Sequence, residues 1–207
     1  MQCSSNSCSS GCGGHVVPCP CPEEGNIEID SLEKVVNCYW QHHQDVAVEL
    51  EFYESLESLT EAIEEAAAAL ADENLGYDQP DILSGKVLLK ARQELSDCEA
   101  ELAKSADFDT LFNTVDSVIG TLDGLNPALV YLTALRIGVQ LGVHPQSIVL
   151  AAGAQSGAEA LLAIDAGKKF LLRDELPRIF QHPELTTADV QACLTICKNQ
   201  LRWLSRN

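Results

Sequence analysis

Cations and aromatics are scarce in this chain: 13 Lys and Arg stand against 31 Asp and Glu, and aromatic side chains make up 5% of 207 residues. With a net charge of −18 the molecule as a whole repels a phosphate backbone, so nucleic acid could be held only on a locally basic face. Long apolar runs are missing too. None reaches the roughly 18 residues of a membrane span. The N-terminus lacks the basic, apolar and small-residue order of a secretory signal, so the expected location is the cytosol. The aromatics are few, β-branched alternation is nearly lacking and hydrophobic content is 46%, rich in Ala and Leu; together these point to a mostly helical globule. The length suits one domain with an appendage.

The acidity is concentrated. Residues 1 to 22 carry no charged side chain, and Glu23 to Asp109 hold 23 acids against the five bases Lys34, Lys86, Lys90, Arg92 and Lys104. From Thr110 to Asn207 there are 8 acids and 8 bases. The expected organisation is therefore a Cys-, Gly- and Pro-rich tail over residues 1–26 and a single helical domain over 27–207. The domain divides into an acidic half at 27–106 and a neutral half at 107–207.

The tail cannot build a core by itself and is expected to be extended unless a metal clamps it. Cys3, Cys8, Cys12, His15, Cys19 and Cys21 supply enough soft ligands for zinc or iron, although their spacing matches no zinc-knuckle or iron–sulfur pattern. The nine cysteines are odd in number and cannot all pair within one chain. For a cytosolic protein they are expected to be thiols or metal ligands before disulfides.

Asp30-Ser31-Leu32-Glu33 opens a helix in capping-box style, with Asp30 as the acidic N-cap candidate and Glu33 three residues later. Apolar residues from Leu32 through Tyr39, Val46, Leu50, Tyr53 and Ile63 to Leu70 then follow three- and four-residue steps. One long helix, or two with a slight break, is expected there, its glutamates forming a solvated face. A connecting loop at 72–80 leads to a helix over 81–104, and the two helices are expected to pack antiparallel. A third helix near 109–119 meets Leu122-Asp123-Gly124-Leu125-Asn126-Pro127, where Asn126 and Pro127 read as N-cap and first helical residue. The next helix runs from Pro127 to Leu141 and ends at Gly142. A short apolar segment at 148–152 and a small-residue helix at 156–164 follow, and the last helix opens with a capping box near Thr186.

The hairpin at Gly124 sits where a helix-hairpin-helix places an apolar-x-Gly-apolar-Gly turn, with Asn126 in place of the second Gly. The run Gly124-Leu125-Asn126, Tyr131-Leu132-Thr133-Ala134-Leu135-Arg136-Ile137-Gly138, Leu141-Gly142-Val143-His144-Pro145 and Ala152-Gly153-Ala154-Gln155-Ser156-Gly157-Ala158 resembles a group of uncharacterised bacterial helix-hairpin-helix-like proteins. Their pattern is roughly GIG, YDTALRIG, LGLxP and VYLHAGTRxGAxAL. The likeness covers residues 109 to 205, about half the chain, and implies no established activity. Leu132, Val149, Ala151, Ala154 and Gln155 stand where that pattern has Asp, Tyr, His, Thr and Arg. Of the matched positions able to ionise, Arg136 is kept.

Lys168, Lys169, Arg173 and Arg178 form the basic cluster of the chain. It is expected to pair with the acidic helices of the same or a second molecule, or to meet phosphates beside the hairpin. Five scattered histidines assemble no nucleophile, base and orienting group. Three readings follow. The first is a non-enzymatic all-α interaction protein whose acidic surface binds a basic protein partner or a second copy. The second is a nucleic-acid-binding protein acting through Gly124, Leu125, Asn126, Arg136, Lys168, Lys169 and Arg173. The third is a zinc- or iron-binding or redox protein acting through the tail.

Overall fold

The apolar stripe that starts at Leu32 is cut into three helices, α1 (Leu32–His42), α2 (Asp45–Glu54) and α3 (Leu59–Ala68). The break before α3 has a local cause. Ser58 accepts the Glu61 N–H at 3.2 Å, and the Glu61 carboxylate reaches back to the Glu57 N–H at 3.0 Å, so polar side chains start a new helix at this point. The computed structural model describes residues 29–42, 45–71, 84–165 and 167–207; the tail at 1–26 lies outside them, as does the whole of the connecting loop expected at 72–80.

Ser84 caps α4 (Gly85–Asp97), and the chain breaks at Cys98 into the single turn α5 (Glu99–Leu102). Asp107 caps α6 (Phe108–Ile119) through the Thr110 N–H at 2.7 Å. Then come α7 (Pro127–Gln140), strand β1 (Ser147–Val149), α8 (Ala152–Leu161) and strand β2 (Phe170–Leu172). After two short 3-10 turns the chain closes with α9 (Thr187–Ile196) and α10 (Lys198–Leu204). Helix dominates the described residues, as an all-α class requires. The one sheet is β1 and β2, paired antiparallel with Ser147 opposite Leu172 and Val149 opposite Phe170. The Gln191 side chain of α9 completes β1, accepting the Val149 N–H at 2.7 Å and donating to the Val149 carbonyl at 2.9 Å.

α7 is the hub. Every residue from Ala128 to Val139 is buried, because α2, α3 and α6 pack around it. A helix apolar on all sides has no solvent face to offer and settles in the interior. Thr133, one of its few polar residues, satisfies its hydroxyl on the Leu129 carbonyl at 2.9 Å. A second apolar cluster, with Tyr39, Ile148, Phe180 and Leu194 at its centre, joins α1, the sheet, α8, α9 and α10.

Within that cluster α8 and α9 approach through glycines. A Cβ added at Gly157 would lie 2.8 Å from the carbonyl carbon of Leu194, and one at Gly153 would meet the Thr195 Cγ2 at 2.6 Å. The backbone of α9 occupies the space that a side chain would need. Gly157→Ala is expected to destabilise the protein by about 1–3 kcal/mol through overpacking. Gly85→Ala, where nothing lies within 4 Å, is expected to stabilise it by about 0.4–1 kcal/mol through the unfolded chain. Denaturant titration of the two variants reads both signs, and equal effects would show that the α8–α9 approach is not a packing constraint.

Candidate functional site

The hairpin turn is built for closure. Gly124 takes a left-handed conformation at φ +84°, but Asn126 is extended at φ −103° and ψ 164°, so it does not reproduce the left-handed second glycine that the motif would call for. Its side-chain oxygen accepts the N–H groups of Ala128 at 2.9 Å and Leu129 at 3.0 Å, and the Leu125 N–H donates to the Leu122 carbonyl at 3.1 Å. The Leu125 amide of the turn and the Ala128 and Leu129 amides at the helix start are therefore engaged within the chain.

The basic residues expected to join the hairpin are dispersed. Arg136 is 2% exposed, inside the core. Lys168 pairs with Glu175, which also accepts the Leu172 N–H; these bonds hold the Glu175 carboxyl below the ordinary carboxylate range. Arg173 donates to the carbonyls of Phe180 at 3.1 Å and His182 at 2.9 Å. The expected pairing of this cluster with the acidic N-terminal helices is thus replaced, for Lys168 and Arg173, by bonds to the segment that follows them. Lys169 and Arg178 are exposed.

The tail ligands Cys3, Cys8, Cys12, His15, Cys19 and Cys21 lie outside the described residues, and among those described no group of three His, Cys, Asp or Glu could hold a metal. Cys38 is disulfide-bonded, contrary to the expectation of thiols, whereas Cys98, Cys193 and Cys197 are free. Cys193 and Cys197 are buried on successive turns of the chain. Hydrogen bonding with Cys197, together with burial, raises the Cys193 thiol well above its ordinary range, so it is a poor nucleophile and a poor metal ligand. Leu132, Val149, Ala151 and Ala154 are core residues, and Gln155 bonds Glu159 on the surface.

The geometry of Arg136 gives it a structural task. Its Nη2 and Nε lie 2.6 and 2.7 Å from the same Glu49 oxygen, and its guanidinium stands 5.8 Å from the centre of the Tyr53 ring. Glu49 and Tyr53 are one turn apart on α2, so this contact pins α2 to α7.

Pinned in this way, α2 presents an unusual outer side. Val48 is 66% exposed and Phe52 48%, one turn apart. The side between them and the core carries Ala47, Leu50, Glu51 and Glu54 and forms one wall of a cleft of about 220 Å³. Leu135 and Val139 of α7, Ala188 of α9 and His144 also line it. Among the described residues neither Glu51 nor Glu54 has a cationic partner, whereas Glu49, Glu64 and Glu94 are paired with Arg136, Arg92 and Lys90. Sequence periodicity passes over this face, since Val48 and Phe52 look like ordinary members of an apolar helix. Their spacing out of phase with Val46, Leu50 and Tyr53 is the signal that could have separated them.

Compared with known proteins, the chain matches no protein-family model, no curated protein and no solved structure.

Two outcomes follow from the buried groups. Glu49→Ala is expected to cost about 3 kcal/mol because it takes a carboxylate away from the buried Arg136 guanidinium, and Glu49→Leu combined with Arg136→Met to recover most of that; a double variant no better than the single one would show that the ion pair itself, and not the loss of a counter-charge, supplies the stability. For Cys193, native and unfolded chains bind the same proton below pH 9.0, the ordinary thiol value. Above it the unfolded thiol ionises first, so stability is expected to fall as pH rises and the fall to shrink in Cys193→Ala. Unfolding midpoints on both sides of that pH check the slope.

Proposed function

We propose that this chain is a non-enzymatic helical interaction protein, and that the outer face of α2 docks a basic amphipathic segment of a protein partner. The observation that carries this reading is the pairing of exposed Val48 and Phe52 with the uncompensated carboxylates Glu51 and Glu54 on the same helix. Apolar side chains displayed on a rigid helix favour a partner that buries them. Charge selects the partner's sign, because no Lys or Arg occurs between Lys34 and Lys86. The local engagement of Lys168 and Arg173 favours a separate basic partner over a second copy of this chain.

None of the helices is long and apolar enough to cross a membrane among the described residues. The cytosol is the compartment proposed from the sequence. The Cys38 disulfide argues for an oxidising one, and thiol counting on protein isolated under alkylating conditions separates the two.

The test uses a synthetic amphipathic helical peptide with Leu on one face and Arg on the other, and an otherwise identical peptide with Glu for Arg. The full chain is expected to bind the basic peptide in a salt-sensitive manner and to ignore the acidic one. Val48→Ser with Phe52→Ser, and separately Glu51→Lys with Glu54→Lys, are each expected to weaken binding roughly tenfold or more while the circular dichroism spectrum stays unchanged. Equal affinity of the native chain and both variants would overturn the reading.

A further inference from the structure

We infer that the cleft between α2, α7 and the start of α9 is a receptor for a single arginine side chain. This rests on the interface reading above and names the residue that the partner inserts. The chemistry of the walls is divided as an arginine is divided. Leu50, Leu135 and Val139 form an apolar floor suited to a trimethylene stem, and Glu51 and Glu54 stand at one rim, three residues apart on the helix, to take a cation. A planar guanidinium presents donors in two directions and can serve both carboxylates together, whereas an ammonium is a point charge.

Size points the same way. At about 220 Å³ the cleft is smaller than the roughly 300–1,000 Å³ typical of pockets for free metabolites. Its lining residues Ala47 and Glu51 are sequence neighbours of Val48 and Phe52 on the same helix, so a segment lying on those two residues can lower one side chain into it. The charge balance is otherwise unfilled: among the described residues no cation reaches Glu51 or Glu54, although the neighbouring Glu49 is paired with Arg136.

The probe is N-acetyl-arginine methylamide, titrated into the full chain and followed by backbone amide NMR shifts. N-acetyl-citrulline methylamide serves as the uncharged isostere. The arginine amide is expected to shift Ala47, Leu50, Glu51, Glu54 and His144 along one saturable curve, and the citrulline amide to leave them in place. Glu51→Gln with Glu54→Gln is expected to weaken the response roughly tenfold. Ala47→Phe, which fills the cleft from an exposed position of α2, is expected to abolish it. An equal response to citrulline, no response at all, or an unchanged response in Ala47→Phe would overturn the inference. The two readings separate cleanly. If the basic peptide binds the Ala47→Phe variant normally but not the Val48→Ser, Phe52→Ser variant, the interface stands and the arginine receptor fails. If the arginine amide titrates the cleft while the Val48→Ser, Phe52→Ser variant keeps full peptide affinity, the receptor stands and the docking face fails.

Discussion

A guanidinium cannot shed its proton to suit its surroundings, so an arginine in the middle of a helix buried on every side must be given a carboxylate in a fixed place. Arg136 imposes that condition on this fold, and Glu49 meets it. The two halves of the chain, one strongly acidic and one neutral, are joined by this contact across α2 and α7. Tyr53, one turn from Glu49, covers the guanidinium with its ring and sends its hydroxyl toward the Glu65 carbonyl of α3 at 3.4 Å. The orientation of α2 about its own axis is thereby set, and with it the choice of residues that face outward.

The carboxylates of the acidic half fall into two groups. Some are consumed in the structure: Glu49 on Arg136, Glu64 on Arg92, Glu61 on the backbone before α3, and Glu99 on the Thr60 hydroxyl. Others, Glu51 and Glu54 foremost, stand at the edge of an apolar cleft with no cationic partner among the described residues. Net charge alone does not make this distinction. It comes from which donor each carboxylate can reach from its place on its helix.

Local chemistry was legible in the sequence wherever it closes over a few residues. Asn126 followed by Pro127 starts α7, Gly142 with φ +70° follows its end, and Thr186 with Asp189 forms the capping box of α9. These features need only neighbouring backbone groups, so their residue types announce them. Ser31, not Asp30, accepts the first free amide of α1, at 3.4 Å from Lys34, because Asp30 is drawn to the Lys34 ammonium at 2.7 Å. The strands were not legible. Ser147-Ile148-Val149 is three residues long and buried throughout, with no alternation to read, and it becomes a strand through Phe170-Leu171-Leu172, over twenty positions away. The interior placement of Arg136 was equally hidden, since an arginine at a helix midpoint looks solvated until its partner 87 positions earlier is brought to it.

The amide of Gln191 has a consequence for how the molecule behaves in company. A two-stranded ribbon ordinarily leaves a row of backbone donors and acceptors open on each outer side, and such a row recruits any extended chain that drifts past. On β1 the outward-facing pair belongs to Val149, and a side chain from a helix has taken both positions in the manner of a neighbouring strand. The ribbon therefore stops growing at that side. A protein that displays apolar residues on α2 keeps its stickiness confined to a helix, where recognition is by shape and charge, and withholds it from a strand, where any peptide backbone would do.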